Sequence, residues 1–197
     1  MSALAEHLAR GGLVILSGDA LRAGDLDLAA AASCITPEAI AFMARNGRGL
    51  ICLGMSAARA QHLGIRLQQW EGRSSSGRPF GQSIEARHGI TTGISAADRA
   101  TTIRVAVDPA STAEDLVSPG HVFPLIGNPA GPSARMSTLE AGLDIVQACG
   151  LGDGVVLCAM MREDGTMARI GELTEWAAGQ GIPIVDIREW VAARSDR

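Results

Sequence analysis

The sequence predicts a layered α/β or α+β domain built around a mixed sheet. Short apolar runs typical of strands alternate with segments of helical periodicity, and glycine, proline and capping residues separate them. The 197 residues suffice for one domain with a sizeable core, and no internal repeat divides them. We therefore expect residues 1–197 to form a single domain.

The first half of the chain shows clear helix and strand signals. Residues 2–10 are predicted to be helical, and the apolar run at 13–16 is predicted to be a strand. Thr36 is a suitable N-cap, Pro37 suits the first helical position, and Gly47 suits the position just after the helix. Further elements are a strand at 50–55, a helix from Ser56 to Gly64, a flexible loop at 71–79 and a strand at 80–86.

The second half continues the same alternation. Ser95 is predicted to cap a helix that runs through Ile103, and residues 121–125 are predicted to form a strand. A helix is expected to open at Thr138 and to end before Gly150. The remaining predicted elements are a buried strand at 155–161, a hairpin turn at Asp164 and Gly165, and two helices flanking a strand at 182–185.

Composition excludes several function classes. The net charge of −4 and the lack of a basic cluster argue against nucleic-acid binding, and no apolar run reaches the roughly 18 residues that a membrane span needs. All seventeen basic residues are arginine, so Schiff-base chemistry on a lysine is excluded. Four dispersed cysteines without a CxxC pair suit a reducing compartment, and no signal peptide is visible. We therefore expect a cytoplasmic protein.

The run ARHGITTGISAADR at residues 86–99 has the composition of an anion-binding segment. It combines glycines, which free backbone N–H groups, with hydroxyls and with arginines at both ends. Its candidate ligands for a phosphate or carboxylate are Thr91, Thr92, Ser95, Asp98 and Arg99. The alternative is that Ser95 only caps a helix and that Asp98 and Arg99 form a solvated face.

Four segments resemble the 3,4-dihydroxy-2-butanone 4-phosphate synthases of riboflavin biosynthesis. They lie at residues 36–53, 86–99, 118–125 and 164–169, in the order and at the spacings of that family. The resemblance implies a single-domain α+β fold, an α-β-α sandwich with a mixed sheet. It also implies a homodimer with active sites at the subunit interface. The family enzyme uses magnesium to convert ribulose 5-phosphate into formate and a four-carbon ketone phosphate.

Three positions depart from the family pattern at the reacting centre. Leu21 stands at the position of a metal-binding glutamate, Thr138 at that of a metal-binding histidine, and Ala159 at that of a catalytic glutamate. Leucine offers no donor and a hydroxyl is a weak ligand, so we expect no metal and no other cofactor. Arg22 is a candidate to replace the charge of the ion, unless it lies in a loop that faces water.

The candidate site combines residue chemistry with family positions. The candidate catalytic residues are Arg22, Asp25, Cys52 and His121. Cys52 is either a reactive thiol or a buried small hydrophobe, and His121 either an acid–base group or an interface residue that packs against Phe123. Arg135 and Thr138 join the threonines and the other polar residues of 86–99 as candidate anion ligands, although Thr138 also suits a helix cap.

Three functions remain open from the sequence. The leading hypothesis is a repurposed, metal-independent lyase, isomerase or dehydratase that acts on a small anionic substrate, phosphorylated or carboxylated. The second is a non-catalytic paralogue that senses a ligand or forms mixed dimers with an active synthase. The third is a working synthase of the family. We expect a homodimer in each enzymatic case, with no nucleic-acid or membrane partner.

Overall fold

Seven strands and seven α-helices make up the part of the chain that this computed structural model describes, residues 3–68 and 77–195. The strands are β1 (Val14–Asp19), β2 (Asp25–Ala31), β3 (Arg48–Met55), β4 (Ile84–Ala86), β5 (Leu116–Ile126), β6 (Gly154–Met160) and β7 (Ile184–Asp186). The helices are α1 (Ala3–Ala9), α2 (Pro37–Phe42), α3 (Ala57–His62), α4 (Ala96–Val107), α5 (Thr138–Ala148), α6 (Ile170–Gln180) and α7 (Ile187–Ser195).

The strands form one mixed sheet in the order β4-β5-β3-β6-β2-β1-β7. β3 pairs in parallel with β5, and β1 pairs in parallel with β7. The remaining neighbours are antiparallel. The central strand β6 faces β2 with Ala159 opposite Asp27, and it faces β3 with Leu157 opposite Cys52.

Both faces of the sheet are covered by helices, because successive side chains of each strand point to opposite sides. One core contains Leu28 of β2 and Leu53 of β3, against which α2, α3, α4 and α6 pack. The other contains Leu16 of β1 and Leu157 of β6, against which α1, α5 and α7 pack. This three-layer arrangement confirms the predicted α+β sandwich with a mixed sheet.

Helix caps lie where hydroxyl residues precede apolar runs. Thr36 accepts a hydrogen bond from the Ala39 amide, with Pro37 in the first turn, and Ser95 caps α4 through the Asp98 amide. The helix predicted from Pro37 to just before Gly47 is α-helical only to Phe42 and continues as one π-helical turn over Met43–Gly47. The following residue, Arg48, then has φ of 65°, which ends the helical winding and opens β3.

The structure adds one strand that was not predicted, corrects one helix cap, and leaves part of one predicted loop outside the described residues. Residues 25–31 form β2, a strand that the sequence analysis did not predict. Ser137, rather than Thr138, caps α5, because the Ser137 hydroxyl accepts from the Leu139 amide at 3.2 Å. Residues 71–76 of the predicted loop lie outside the described part of the chain. Within the described residues, the helices are too short or too polar to cross a membrane.

Candidate active site

A tight turn between β1 and β2 brings Arg22 back over the sheet. β1 ends at Asp19, whose carboxylate accepts from the Leu21 amide at 3.0 Å and so caps a single 3₁₀ turn at residues 20–22. Ala23 then takes a left-handed conformation with φ of 53°, and Gly24 follows with φ of 79°. The chain therefore reverses within two residues, which places the Arg22 side chain between two carboxylates.

Arg22 forms ion pairs with two carboxylates that have no solvent exposure. Its Nε lies 3.0 Å from an Asp19 carboxylate oxygen, and its Nη2 contacts an Asp27 carboxylate oxygen. Burial lowers the pKa of Arg22, but the charges of Asp27 and Asp19 outweigh this and raise the pKa above its ordinary value. The guanidinium therefore stays charged, and it is held between β1 and β2 rather than in a loop that faces water.

Thr138 joins this cluster from the first turn of α5. Its amide donates to Asp19 at 3.1 Å, and its hydroxyl lies 2.6 Å from Asp27 Oδ2. The same hydroxyl accepts from Arg22 Nη2 at 3.0 Å. The helix start is thus tied to both strands, and the carboxylate of Asp19 lies where the positive end of a helix dipole stabilises it.

Two further arginines complete the pocket. Arg78 donates through Nη2 to the Asp27 carboxylate at 3.2 Å. Arg135 donates to Glu140 at 3.4 Å and to the Gly77 carbonyl at 2.8 Å. The polar residues that line the pocket are Asp19, Arg22, Arg78, Arg135, Ser137 and Thr138. The three arginines are partly exposed at the pocket, and each is paired with a carboxylate that is fully buried behind it.

Asp98 binds backbone donors of its own segment, residues 91–98. The Asp98 carboxylate accepts from the Thr91 amide at 3.2 Å, from the Thr91 hydroxyl at 2.8 Å and from the Gly93 amide at 3.1 Å. Two of the N–H groups expected to cradle an anion are therefore occupied by Asp98. Thr92 and Ser95 are exposed, and the Arg99 Nε is buried without a hydrogen-bond acceptor among the described residues.

His121 lies beside Gly93, and with residues 91–98 it forms a second cluster, separate from the Arg22 cluster. Its Nδ1 pairs with the Glu85 carboxylate across β4 and β5, beside Gly93. Its side chain is 45% exposed, so its ring is available to a partner or substrate. β5 and β2 are three strand spacings apart in the sheet, about 14 Å at about 4.8 Å each. Within one chain, His121 and the Arg22 cluster therefore do not meet at one small substrate.

Two candidate catalytic residues lie apart from the pocket lining. Asp25 pairs with Arg169 at 2.8 Å, on the far side of the turn from Asp19. Cys52 is fully buried, and burial raises the pKa of its thiol to about 12. Since the neutral thiol is a weak nucleophile, Cys52 at neutral pH acts as a small packing residue between β3 and its neighbours.

The three positions expected to depart from the family pattern lie in or near this pocket. Leu21 lines it and is 55% exposed, Thr138 is buried within the Arg22 cluster, and Ala159 lies opposite Asp27 on β6. Sequence reasoning missed Asp27 and Arg78. Asp27 had a usable signal, because it is the one charged residue inside the apolar run LDLAAAA, where a buried carboxylate needs a partner. Arg78 gave no signal beyond its loop composition.

Comparison with known proteins identifies relatives along almost the whole chain. Residues 2–193 match the family described as 3,4-dihydroxy-2-butanone 4-phosphate synthase. A protein of that name from Ralstonia nicotianae is 41% identical over 96% of this chain and 83% of its own length. One from Pseudomonas aeruginosa is 42% identical over 97% of this chain. This relative is longer, and the chain spans about half of it (52%).

Solved structures agree with this similarity. A two-domain 3,4-dihydroxy-2-butanone 4-phosphate synthase from A. baumannii superposes with a TM-score of 0.89 at 38% identity, covering 97% of this chain and 56% of its own. Another synthase, solved in complex with two magnesium ions, superposes with a TM-score of 0.91 at 28% identity. That match covers 98% of this chain and 95% of the other.

The expectation that no cofactor is needed is contradicted by that magnesium complex of a relative. The arrangement seen here is a poor fit to a preformed metal site, because Asp19 and Asp27 are paired with Arg22. Over residues 3–68 and 77–195, no group of three or more His, Cys, Asp and Glu side chains is placed to hold an ion. We therefore assign no step of the reaction to a metal.

The leading sequence hypothesis, a repurposed metal-independent enzyme, is also contradicted. Relatives that are 41–43% identical to this chain over 94–97% of its length carry the synthase name, and the chain covers 83% of one of them. The comparisons favour the third hypothesis, a working synthase. The chain belongs to the 3,4-dihydroxy-2-butanone 4-phosphate synthase family.

Proposed function

We propose that this chain is a lyase that converts ribulose 5-phosphate into 3,4-dihydroxy-2-butanone 4-phosphate and formate. The observation that carries the proposal is the 41% identity to a synthase of which the chain covers 83%. Substrate and products balance in atoms, since a five-carbon sugar phosphate divides into a four-carbon ketone phosphate and formic acid. No external oxidant or reductant is required.

The pocket beside α5 suits the phosphate of such a substrate. Arg22, Arg78 and Arg135 face it, and each guanidinium offers donors in a planar fork that matches phosphate oxygens. Ser137 and Thr138, at the start of α5, line the same pocket. The three guanidinium groups therefore supply the charge and the hydrogen-bond donors that a phosphate group needs.

The proposed active site also draws on the second cluster. The imidazole of His121 is a group that can accept or donate a proton, but β5, which carries it, lies three strand spacings from β2. We propose a homodimer in which His121, Thr91 and Thr92 of one copy reach the arginine pocket of the other. Ile94, 54% exposed beside these threonines, is an apolar side chain that such an interface would cover.

The proposal includes an active site that diverges from the usual family pattern. Leu21 and Ala159 carry no group that transfers protons, and Thr138 is committed to Arg22 and Asp27. We assign the anion-holding role to the arginines and the proton-transfer role to His121. Asp25 has a structural role in this proposal: its ion pair with Arg169 fixes the start of β2 next to the turn that carries Arg22.

Formate release from ribulose 5-phosphate in magnesium buffer tests the proposal. The wild-type protein should release formate, and Arg135→Met should raise KM about tenfold or more, because a charge-assisted hydrogen bond contributes about 1.5–3 kcal/mol. Arg188→Met is the matched control, since Arg188 pairs with Asp186 outside the pocket lining. Absence of formate from a folded protein that binds the substrate would exclude synthase activity.

Sedimentation measures the proposed assembly separately. A dimer at micromolar concentration that dissociates when Ile94 is changed to Asp would support a shared site. A monomer that nevertheless releases formate would show that His121 of a second copy is not needed.

A further inference from the structure

Asp27 occupies the centre of the pocket's ionic network without being exposed itself. Its carboxylate contacts Arg22 Nη2, lies 3.2 Å from Arg78 Nη2, and lies 2.6 Å from the Thr138 hydroxyl. These three partners come from the β1–β2 turn, the segment before β4 and the start of α5. One buried carboxylate therefore joins three separate parts of the chain.

Burial makes this carboxylate dependent on its partners. An ionised carboxylate with no solvent exposure is strongly destabilised unless cations and hydrogen-bond donors surround it. In the converse direction, the carboxylate fixes where the guanidinium groups lie, since long arginine side chains otherwise sample many rotamers. Arg22 and Arg78 are 9% and 15% exposed, and both line the pocket in front of Asp27.

We infer that Asp27 is a positioning residue that holds Arg22 and Arg78 side by side as a two-guanidinium clamp for the phosphate of the substrate. The inference rests on the proposed function only in naming a sugar phosphate as the ligand. Paired arginines held by a buried acid bind phosphate with less loss of side-chain entropy than two free arginines would. Asp27 acts from behind the clamp and does not touch the ligand.

Calorimetric titration with ribulose 5-phosphate and with inorganic phosphate tests the clamp without requiring turnover. The wild-type protein should bind both, and ribulose without phosphate should bind at least tenfold more weakly than ribulose 5-phosphate. Asp27→Asn keeps the side-chain size but removes the charge that orients the arginines. We expect it to raise Kd for both phosphate ligands about tenfold, and Arg78→Met to do the same.

A double-mutant cycle separates positioning from general damage. If Asp27 acts through Arg78, the variant that combines Asp27→Asn with Arg78→Met should raise Kd by clearly less than a hundredfold. Two independent tenfold effects would raise Kd about a hundredfold. Asp186→Asn is the matched control, because Asp186 also pairs with an arginine, Arg188, outside the pocket lining. It should leave Kd within twofold of wild type.

Several outcomes would overturn the inference. They are a folded Asp27→Asn protein with unchanged phosphate affinity, additive effects in the cycle, and a wild-type protein that binds no phosphate ligand. If Asp27→Asn does not fold, an unchanged Kd in Arg78→Met overturns it instead. A wild-type protein that binds phosphate through the clamp but releases no formate leaves the clamp intact and defeats only the proposed synthase activity.

Discussion

The Thr138 hydroxyl lies 2.6 Å from the Asp27 carboxylate and accepts a hydrogen bond from Arg22 at 3.0 Å. This contact joins the first turn of α5 to β2, across more than a hundred residues of sequence. Both side chains are almost completely buried. The start of α5, which lines the pocket, is therefore held in place by the same groups that orient the pocket arginines.

Replacing Thr138 with Val should destabilise the fold. The substitution keeps the side-chain shape but removes one hydrogen-bond donor from the buried Asp27 carboxylate and one acceptor from Arg22. We expect a loss of about 1–3 kcal/mol in the free energy of unfolding, measured by urea denaturation. Thr174→Val is the control, because the exposed Thr174 hydroxyl bonds only to a carbonyl in its own helix. Equal effects of the two changes would contradict the account of Thr138.

Gly93→Ala should destabilise the protein by more than backbone strain alone would, because the new methyl group would clash with Glu85 and His121. Gly93 has φ of 85°, and an added Cβ would overlap the Glu85 carboxylate and lie 2.9 Å from His121 Nδ1. Gly165 has nearly the same φ, 84°, with no atom within 4 Å of an added Cβ. Gly165→Ala therefore isolates the strain, about 1–2 kcal/mol. Thermal unfolding should show a clearly larger loss for Gly93→Ala, and similar losses would refute the close approach.

Asp98 should make a pH-dependent contribution to stability. Hydrogen bonds from the Thr91 hydroxyl and from the Thr91 and Gly93 amides lower its pKa in the folded protein, outweighing the opposing effect of burial. A lowered folded-state pKa means that the stabilisation is present above the unfolded-state pKa, about 3.9, and is lost as pH falls through the folded-state value.

Urea midpoints of wild type and Asp98→Asn between pH 6 and pH 2.5 measure this dependence. Subtracting the two curves removes the contribution of other groups. The advantage of the wild type should be constant down to about pH 4.5 and should then shrink. A difference that stays constant to pH 2.5 would show that Asp98 does not titrate differently in the folded and unfolded states.

Cysteine alkylation should distinguish two classes of thiol. Burial raises the pKa of Cys52 to about 12 and that of Cys158 to about 11, so both are protonated at pH 8. Cys34 and Cys149 are only partly buried. Mass spectrometry after iodoacetamide treatment of the native protein should find adducts at Cys34 and Cys149 first, with all four modified after unfolding. Early modification of Cys52 would favour its role as a nucleophile.

The parts of the fold that sequence reasoning predicted are those with local signals. Thr36 and Ser95 cap helices because their hydroxyls accept from amides three residues on, and an apolar run predicted β3. β2 was missed because alanine and aspartate dominate it and neither favours strands. It is a strand because β1 and β6 pair with it on both sides, which is a tertiary effect.

The candidate site was predictable only in part for a related reason. Arg22, Arg135 and Thr138 were identified from the sequence, and the structure places all three at one pocket. Asp27 was missed with its strand, and Arg78 was missed because only the three-dimensional fold brings its segment to β2. The sequence also could not show that Asp98 occupies the amides of Thr91 and Gly93, since that depends on the path of the loop.

The central claim is tested most directly by a mass balance of the reaction. Phosphorus NMR of ribulose 5-phosphate incubated with the wild-type protein in magnesium buffer follows both phosphorylated species, and an enzymatic assay measures formate. The account predicts that each molecule of sugar phosphate consumed yields one molecule of four-carbon ketone phosphate and one of formate. Unchanged ribulose 5-phosphate, or a new phosphorylated product without formate, would contradict it.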